Sequence, residues 1–119
     1  MDLNTVMAAI KAHPDYDKAG MVLYHNGIVR STSRDGRAVT GLRVQVDHQR
    51  LEQVVTEYRQ RPGIVDIQVK IAADRNLVVG DDVMILAVAG DIRENVIATL
   101  TDALNAIKST VTDKTEFFA

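Results

Sequence analysis

Hydrophobic positions along the chain switch between helical and strand spacing, and the switches outline a fold. Leu3, Val6, Met7 and Ile10 recur at i, i+3, i+4 and i+7, one face of a helix, with Asp2 or Asn4 placed to cap it and His13-Pro14 to end it. Gly20 to Arg30 predicts a strand with Met21-Val22-Leu23-Tyr24 as its apolar half and Asn26-Gly27 as a bulge or kink. The polar loop Ser31 to Gly36 closes on Asp35-Gly36, a strong turn signal. Beyond it Ala38, Thr40, Leu42, Val44 and Val46 form the apolar side of a half-buried strand, with Arg37, Arg43 and Gln45 on the other. These two strands are expected to pair as a long hairpin.

Leu51, Val54, Val55 and Tyr58 mark a second helix, which Pro62-Gly63 stops. Val65, Ile67, Val69 and Ile71 alternate with Asp66, Gln68 and Lys70, the cleanest strand pattern in the chain. Turns are expected at Asp74-Arg75-Asn76 and Gly80-Asp81-Asp82. Val83 to Ala89 is apolar throughout, as a central strand covered on both sides would be. Asp91, with Glu94 three residues on, predicts a capping box for a last helix whose buried stripe is Val96, Ile97, Leu100, Ala103, Leu104, Ile107 and Val111. Asp113 to Ala119 has no periodicity, so this tail is either mobile or docked by Phe117-Phe118. The order α-β-β-α-β-β-α implies an α+β fold: a two-layer sandwich with helices on one face of a mainly antiparallel sheet.

Composition narrows the class. The 119 residues suit one domain, 1–119, and the hydrophobic fraction of 46% with 25% charged residues is that of an ordinary globular protein. Aromatics are few: Tyr16, Tyr24, Tyr58, Phe117 and Phe118. A net charge of −2 argues against a nucleic-acid binder, which needs a basic face and stacking aromatics. Cysteine is absent, which excludes disulfides, a thiolate metal site and a cysteine nucleophile. No apolar run reaches membrane-spanning length and no signal-like start is present, so a cytoplasmic location without membrane contact is expected. His13, His25 and His48 are scattered, with no ligand spacing between them, so no metal site is expected. Ser31-Thr32-Ser33 lacks a nucleophile elbow.

The cations carry more information. Arg93 falls in the first turn of the last helix, where the macrodipole disfavours positive charge but where free N–H groups and a guanidinium together bind anions. Lys108 falls near the helix C-terminus, a position a cation takes for stability alone or for function. Arg30, at a strand end beside the polar loop, is open to the same two readings. Arg93 and Lys108 are fifteen residues apart, roughly 22 Å along a straight helix. One small ligand cannot touch both in one subunit, whereas a symmetric dimer brings the helix start of one copy toward the helix end of the other.

Five segments stand in a telling order: Ala19-Gly20-Met21-Val22 leading into Gly27-Ile28-Val29-Arg30; Val39-Thr40-Gly41-Leu42 after a polar hairpin; the helix from Leu51 to Tyr58; Leu77-Val78-Val79-Gly80-Asp81 before an apolar strand; and Arg93 ahead of Lys108. Over Lys18 to Lys114 this arrangement resembles the large, catalytic subunit of molybdopterin synthase, the MoaE-like family. The resemblance implies an α/β-hammerhead-like domain, a homodimer, and a small ubiquitin-like sulfur-carrier partner ending in a Gly-Gly thiocarboxylate. It implies sulfur transfer to cyclic pyranopterin monophosphate, forming the dithiolene of molybdopterin in molybdenum cofactor biosynthesis, with no cofactor held by the chain. Lys108 is then the leading catalytic residue, assisted by Lys114. Arg30 and Arg93 bind substrate anions, Arg93 from the neighbouring subunit. A sulfur that arrives on a partner agrees with a chain that has no cysteine.

The chain departs from that pattern in places. Ile92-Arg93 replaces a His-Arg pair, and Ser109 to Asp113 replaces a Pro-aromatic-Trp stretch, so Lys114 arrives one residue early. Ala72-Ala73-Asp74-Arg75 stands where the family has a basic segment, and the family's longer basic tail is not found after Lys114. The alternatives are a non-catalytic homologue acting as a dimeric binding or interaction module, and a small ligand-sensing domain of ferredoxin-like shape.

Overall fold

The apolar run near Val83 organises the fold. A computed structural model describes residues 2–119. Its elements, in chain order, are α1 (Leu3–Lys11), β1 (Met21–Ile28), β2 (Val39–Val46), α2 (His48–Arg59), β3 (Ile64–Ile71), β4 (Asn76–Val78), β5 (Asp82–Gly90), α3 (Arg93–Thr110) and β6 (Thr112–Phe118), with a 3-10 turn at Tyr16–Lys18. β5 lies between β1 and β3, antiparallel to both. Met84, Leu86 and Val88 point to one face and pack with Val54 of α2 and Val96, Ala103 and Ile107 of α3. Ile85, Ala87 and Ala89 point to the other and meet Val6 and Ile10 of α1. The period-2 geometry of a strand therefore explains why the run is apolar at every position.

The α+β class and the antiparallel pairing are as the sequence implies. Two features of the sandwich differ. α1 lies on the face opposite α2 and α3, so this sheet is covered on both sides. The strands also divide into two sheets, β1-β5-β3 and β4-β2-β6.

The long hairpin is therefore a correction: β1 pairs with β5, and β2 pairs with β4 and β6. The loop between them closes on itself through the Thr32–Ala38 bridge and the Val39 N–H to Ser31 carbonyl bond, without pairing β1 to β2. β1 finds its apolar partner in β5, while β2 is matched to β4 through Gly41, where any Cβ would collide with the Leu77 carbonyl oxygen. Val29, Leu42, Val44, Ala72 and Leu77 form the small core under this second sheet.

The tail takes the docked alternative, in the form of a strand, β6. Residues from Thr112 to Phe118 run antiparallel along β2, from Thr112 opposite Val46 to Phe118 opposite Val39. Hydrophobic alternation is missing because the strand is mostly exposed and is held by its backbone ladder. Its far end is also fixed by the Arg37 guanidinium, 3.6 Å from the centre of the Phe118 ring. β4, only three residues long, was not anticipated; it begins at Asn76, the last residue of the expected turn, and runs to Val78.

α1 is capped by the Asp2 carboxylate, which accepts from the Asn4 N–H at 2.9 Å. α3 starts one residue later than its capping-box pattern implies. Ile92 is its N-cap and offers no side-chain bond. The Asp91 carboxylate instead accepts from the Asn95 amide at 2.9 Å and the Ile92 N–H at 2.7 Å, and these bonds hold it below the usual carboxylate range. The buried stripe of α3 is Val96, Thr99, Ala103 and Ile107, while Ile97 is 49% exposed. Among the described residues no helix is long and apolar enough to cross a membrane.

Candidate functional site

The C-terminal end of α3 meets the start of β6 where the two sheets join. A cavity of about 280 Å³ opens there. Its floor is apolar: Val44 of β2, Ile71 of β3, and Val83 and Met84 of β5. Its polar wall is Lys108 from the last turn of α3, Lys114 from β6, and Arg34 from the loop after β1. A second cavity of about 360 Å³ shares those three cations and adds Arg30, Thr32, Ser33 and Glu116. Four cations thus converge against one carboxylate, at the edge of an apolar floor where each charge is less screened than in water.

Local structure positions each of them. β6 turns directly out of α3, so Lys114 lies six residues beyond Lys108 on a strand that doubles back along β2. The Lys114 ammonium stands 4.0 Å from Glu116, two residues on and on the same face. Arg30 follows Val29, whose backbone is bound on both sides: its N–H donates to the Asp81 carbonyl at 2.9 Å and its carbonyl accepts from the Gly80 N–H at 2.8 Å. Among the described residues, Arg30, Arg34 and Lys108 form no ion pair.

Sequence reasoning singled out Arg30, Lys108 and Lys114, and the fold brings these three together. It does not bring Arg93 to them. Arg93 lines a separate shallow depression with Gly20, Met21 and Asp91, at the far end of α3, and its guanidinium lies 3.3 Å from Glu94 with both side chains largely exposed. An uninterrupted helix from Arg93 to Thr110 maintains the separation, roughly 22 Å at 1.5 Å per residue.

Two residues were missed. Arg34 sits in the polar loop, whose single legible signal was its Asp-Gly turn; a count of cations flanking that turn, Arg30, Arg34 and Arg37, points to it. His25, half-buried on β1, lies near Lys108: burial first, and the lysine's charge second, push its imidazole below the ordinary histidine range. Its neighbour in space comes from 83 residues further along the chain, so no local pattern reveals it. His13 and His48 lie elsewhere, after α1 and at the start of α2. Among the described residues no three His, Asp or Glu side chains converge as a metal needs.

Comparison with known proteins places the chain in a family. No curated protein sequence matches the chain. Among solved structures, a molybdopterin cofactor biosynthesis protein E from Burkholderia multivorans ATCC 17616 superposes with a TM-score of 0.78 at 26% identity, over 100% of this chain and 82% of that one. Molybdopterin synthase from Staphylococcus aureus gives a TM-score of 0.73 at 21% identity, over 87% of this chain and 77% of that one. A complex of subunits 1 and 2 of molybdopterin-converting factor from Helicobacter pylori 26695 gives 0.73 at 15% identity, over 100% and 84%. The family model described as MoaE protein matches residues 1–110, leaving Lys114 beyond its end. With that match spanning all three helices and five of the six strands, the chain belongs to the MoaE protein family.

Proposed function

We propose that the chain acts in molybdopterin biosynthesis as the large subunit of a molybdopterin synthase, moving sulfur from a thiocarboxylated small subunit to cyclic pyranopterin monophosphate. The observation that supports this most is the convergence of Lys108, Lys114 and Arg30 on one cavity beside an apolar floor. The thiocarboxylate sulfur is itself the nucleophile: it displaces an oxygen at the pyranopterin carbon to give an acyl thioester. Water then takes the acyl group as a carboxylate and leaves the sulfur on the substrate, so this chain needs to supply charge stabilisation and no nucleophile. Lys108, at the shared wall of both cavities, is placed to hold the thiocarboxylate and to stabilise the oxyanion formed when water adds to the thioester carbonyl, before that oxyanion collapses and the carbon–sulfur bond breaks. Lys114 assists, and Arg30 binds the substrate's phosphate. The Staphylococcus aureus structure is a molybdopterin synthase, and the Helicobacter pylori structure is a two-subunit complex, which supports a partner subunit here.

The position of Arg93 bears on assembly. It reaches the cluster only from a second copy, so the reading includes a homodimer in which Arg93 of one chain approaches Lys108 of the other. Mixing the protein with a thiocarboxylated small subunit and the pyranopterin precursor is expected to give the dithiolene product, and Lys108→Ala to abolish it. Absence of product with every small subunit from the same genome overturns the reading. A second reading is a dimeric interaction module without turnover; it is favoured by Ile92, an exposed apolar residue where the family resemblance calls for histidine. That reading expects a stable dimer and no product.

A further inference from the structure

The cluster holds more positive charge than a thiocarboxylate can neutralise. Arg30, Arg34, Lys108 and Lys114 face one carboxylate, Glu116, which is already beside Lys114. A single terminal anion leaves at least two cations without compensation. Arg34 is the least explained of them. It lines both cavities, it has no ion-pair partner among the described residues, and no feature of the loop's own structure requires a cation there.

The loop that carries Arg34 is rigidly built. The Ser33 N–H donates to the Arg37 carbonyl at 2.9 Å, and the Arg37 N–H donates to the Ser33 hydroxyl oxygen at 3.1 Å. The Val39 N–H donates to the Ser31 carbonyl at 2.9 Å, Thr32 bridges to Ala38, and Arg37 stacks on Phe118. Ser33 is 7% exposed and its hydroxyl also bonds the Asp35 carboxylate. An arginine on so constrained a loop spends little conformational freedom when it binds. Its planar fork matches two oxygens of a phosphate in a way that a lysine does not.

We propose that Arg34 is a specificity-determining residue that binds the phosphate group of the substrate, supplied by the same chain that supplies Lys108 and Lys114. This rests on the reading of the two cavities as the substrate site. The apolar floor then takes the ring system and the polar cavity takes the phosphate, with Arg34 on the wall between them.

The test uses the full-length protein, inorganic phosphate followed by NMR titration, and steady-state sulfur transfer to the pyranopterin. Arg34→Gln is expected to weaken phosphate binding about tenfold and to raise KM for the pyranopterin while leaving kcat nearly unchanged. Arg34→Lys is expected to recover part of the phosphate affinity, and Arg75→Gln, in a different depression, to change nothing. Unaltered phosphate affinity and KM in Arg34→Gln, in a protein that makes product, overturn the inference and leave the sulfur-transfer reading intact. Weakened phosphate binding in a protein that makes no product with any small subunit keeps Arg34 as an anion-binding residue and removes the sulfur-transfer reading instead. Arg34 is exposed, and an unchanged melting curve will show that the variant folds.

Discussion

Asp66 shows how a single buried charge is managed in this chain. It is 4% exposed, yet its carboxylate accepts from the Ile67 N–H at 2.8 Å and the Gln68 amide at 2.9 Å, and lies 3.3 Å from the Arg59 guanidinium. Arg59 also donates to the Ile67 carbonyl at 2.6 Å, joining α2 to β3. Asp66→Ala is expected to lower stability by about 2–3 kcal/mol in urea denaturation, since the half-exposed Arg59 regains water instead of being stranded. His25 gives a pH dependence. Its lowered pKa means that the unfolded chain binds a proton more readily than the folded one. The contribution is complete above the ordinary histidine value and is lost as pH falls from there through the lowered folded value. Stability measured between pH 7 and 5 (a window set by the ordinary value of about 6.5) is expected to fall less steeply in His25→Gln than in the parent. A slope unchanged by the substitution contradicts this. Asp35 and Asp91, both held low by hydrogen bonds, titrate at more acid pH and do not mask it.

At the scale of elements, helices were more legible than the strand partners. The cap at Asp2, the α2 pattern and the β5 run each follow from spacing within a few residues. The face of α3 was only partly legible, because Ile97 and Thr99 exchange the roles that their hydrophobicity assigns them. Ile107→Ala, at a site with no exposure, is expected to cost about 2–5 kcal/mol, whereas Ile97→Gln is expected to stay within about 0.5 kcal/mol; thermal or urea denaturation of both variants checks the orientation. Gly41→Ala is expected to cost about 1–3 kcal/mol by forcing β2 and β4 apart. β6 was not legible at all, since a strand stitched to β2 by backbone bonds and exposed on most side chains carries no hydrophobic period. Its recovery matters most, because it carries Lys114 to the cavity.

The molecule as a whole measures 47 × 25 × 23 Å, and its candidate site lies where the two sheets and the end of α3 meet, not within either sheet. Four strands, one helix and a loop each supply a lining residue of the first cavity, which is why the sequence marked individual cations and not their grouping. The proposed sharing of the site across a dimer has its own test. Mixing inactive Lys108→Ala with inactive Arg93→Ala subunits and allowing exchange is expected to restore product, since each mixed dimer regains one site with both cations. Continued inactivity in a demonstrated mixed dimer means that Arg93 does not complete the site.

The sequence was enough to place three helices, the central apolar strand, the α+β class and four cations worth following, Arg30, Arg93, Lys108 and Lys114. These are local matters: a helix face or a strand face is written within ten residues, and propensity and burial agree there. Which strand pairs with which, where the tail goes, and that Arg34 and His25 stand beside Lys108 were decided only in three dimensions. Such contacts join residues tens of positions apart, and they depend on backbone hydrogen bonds and on shared cavities that leave no periodic trace in the chain.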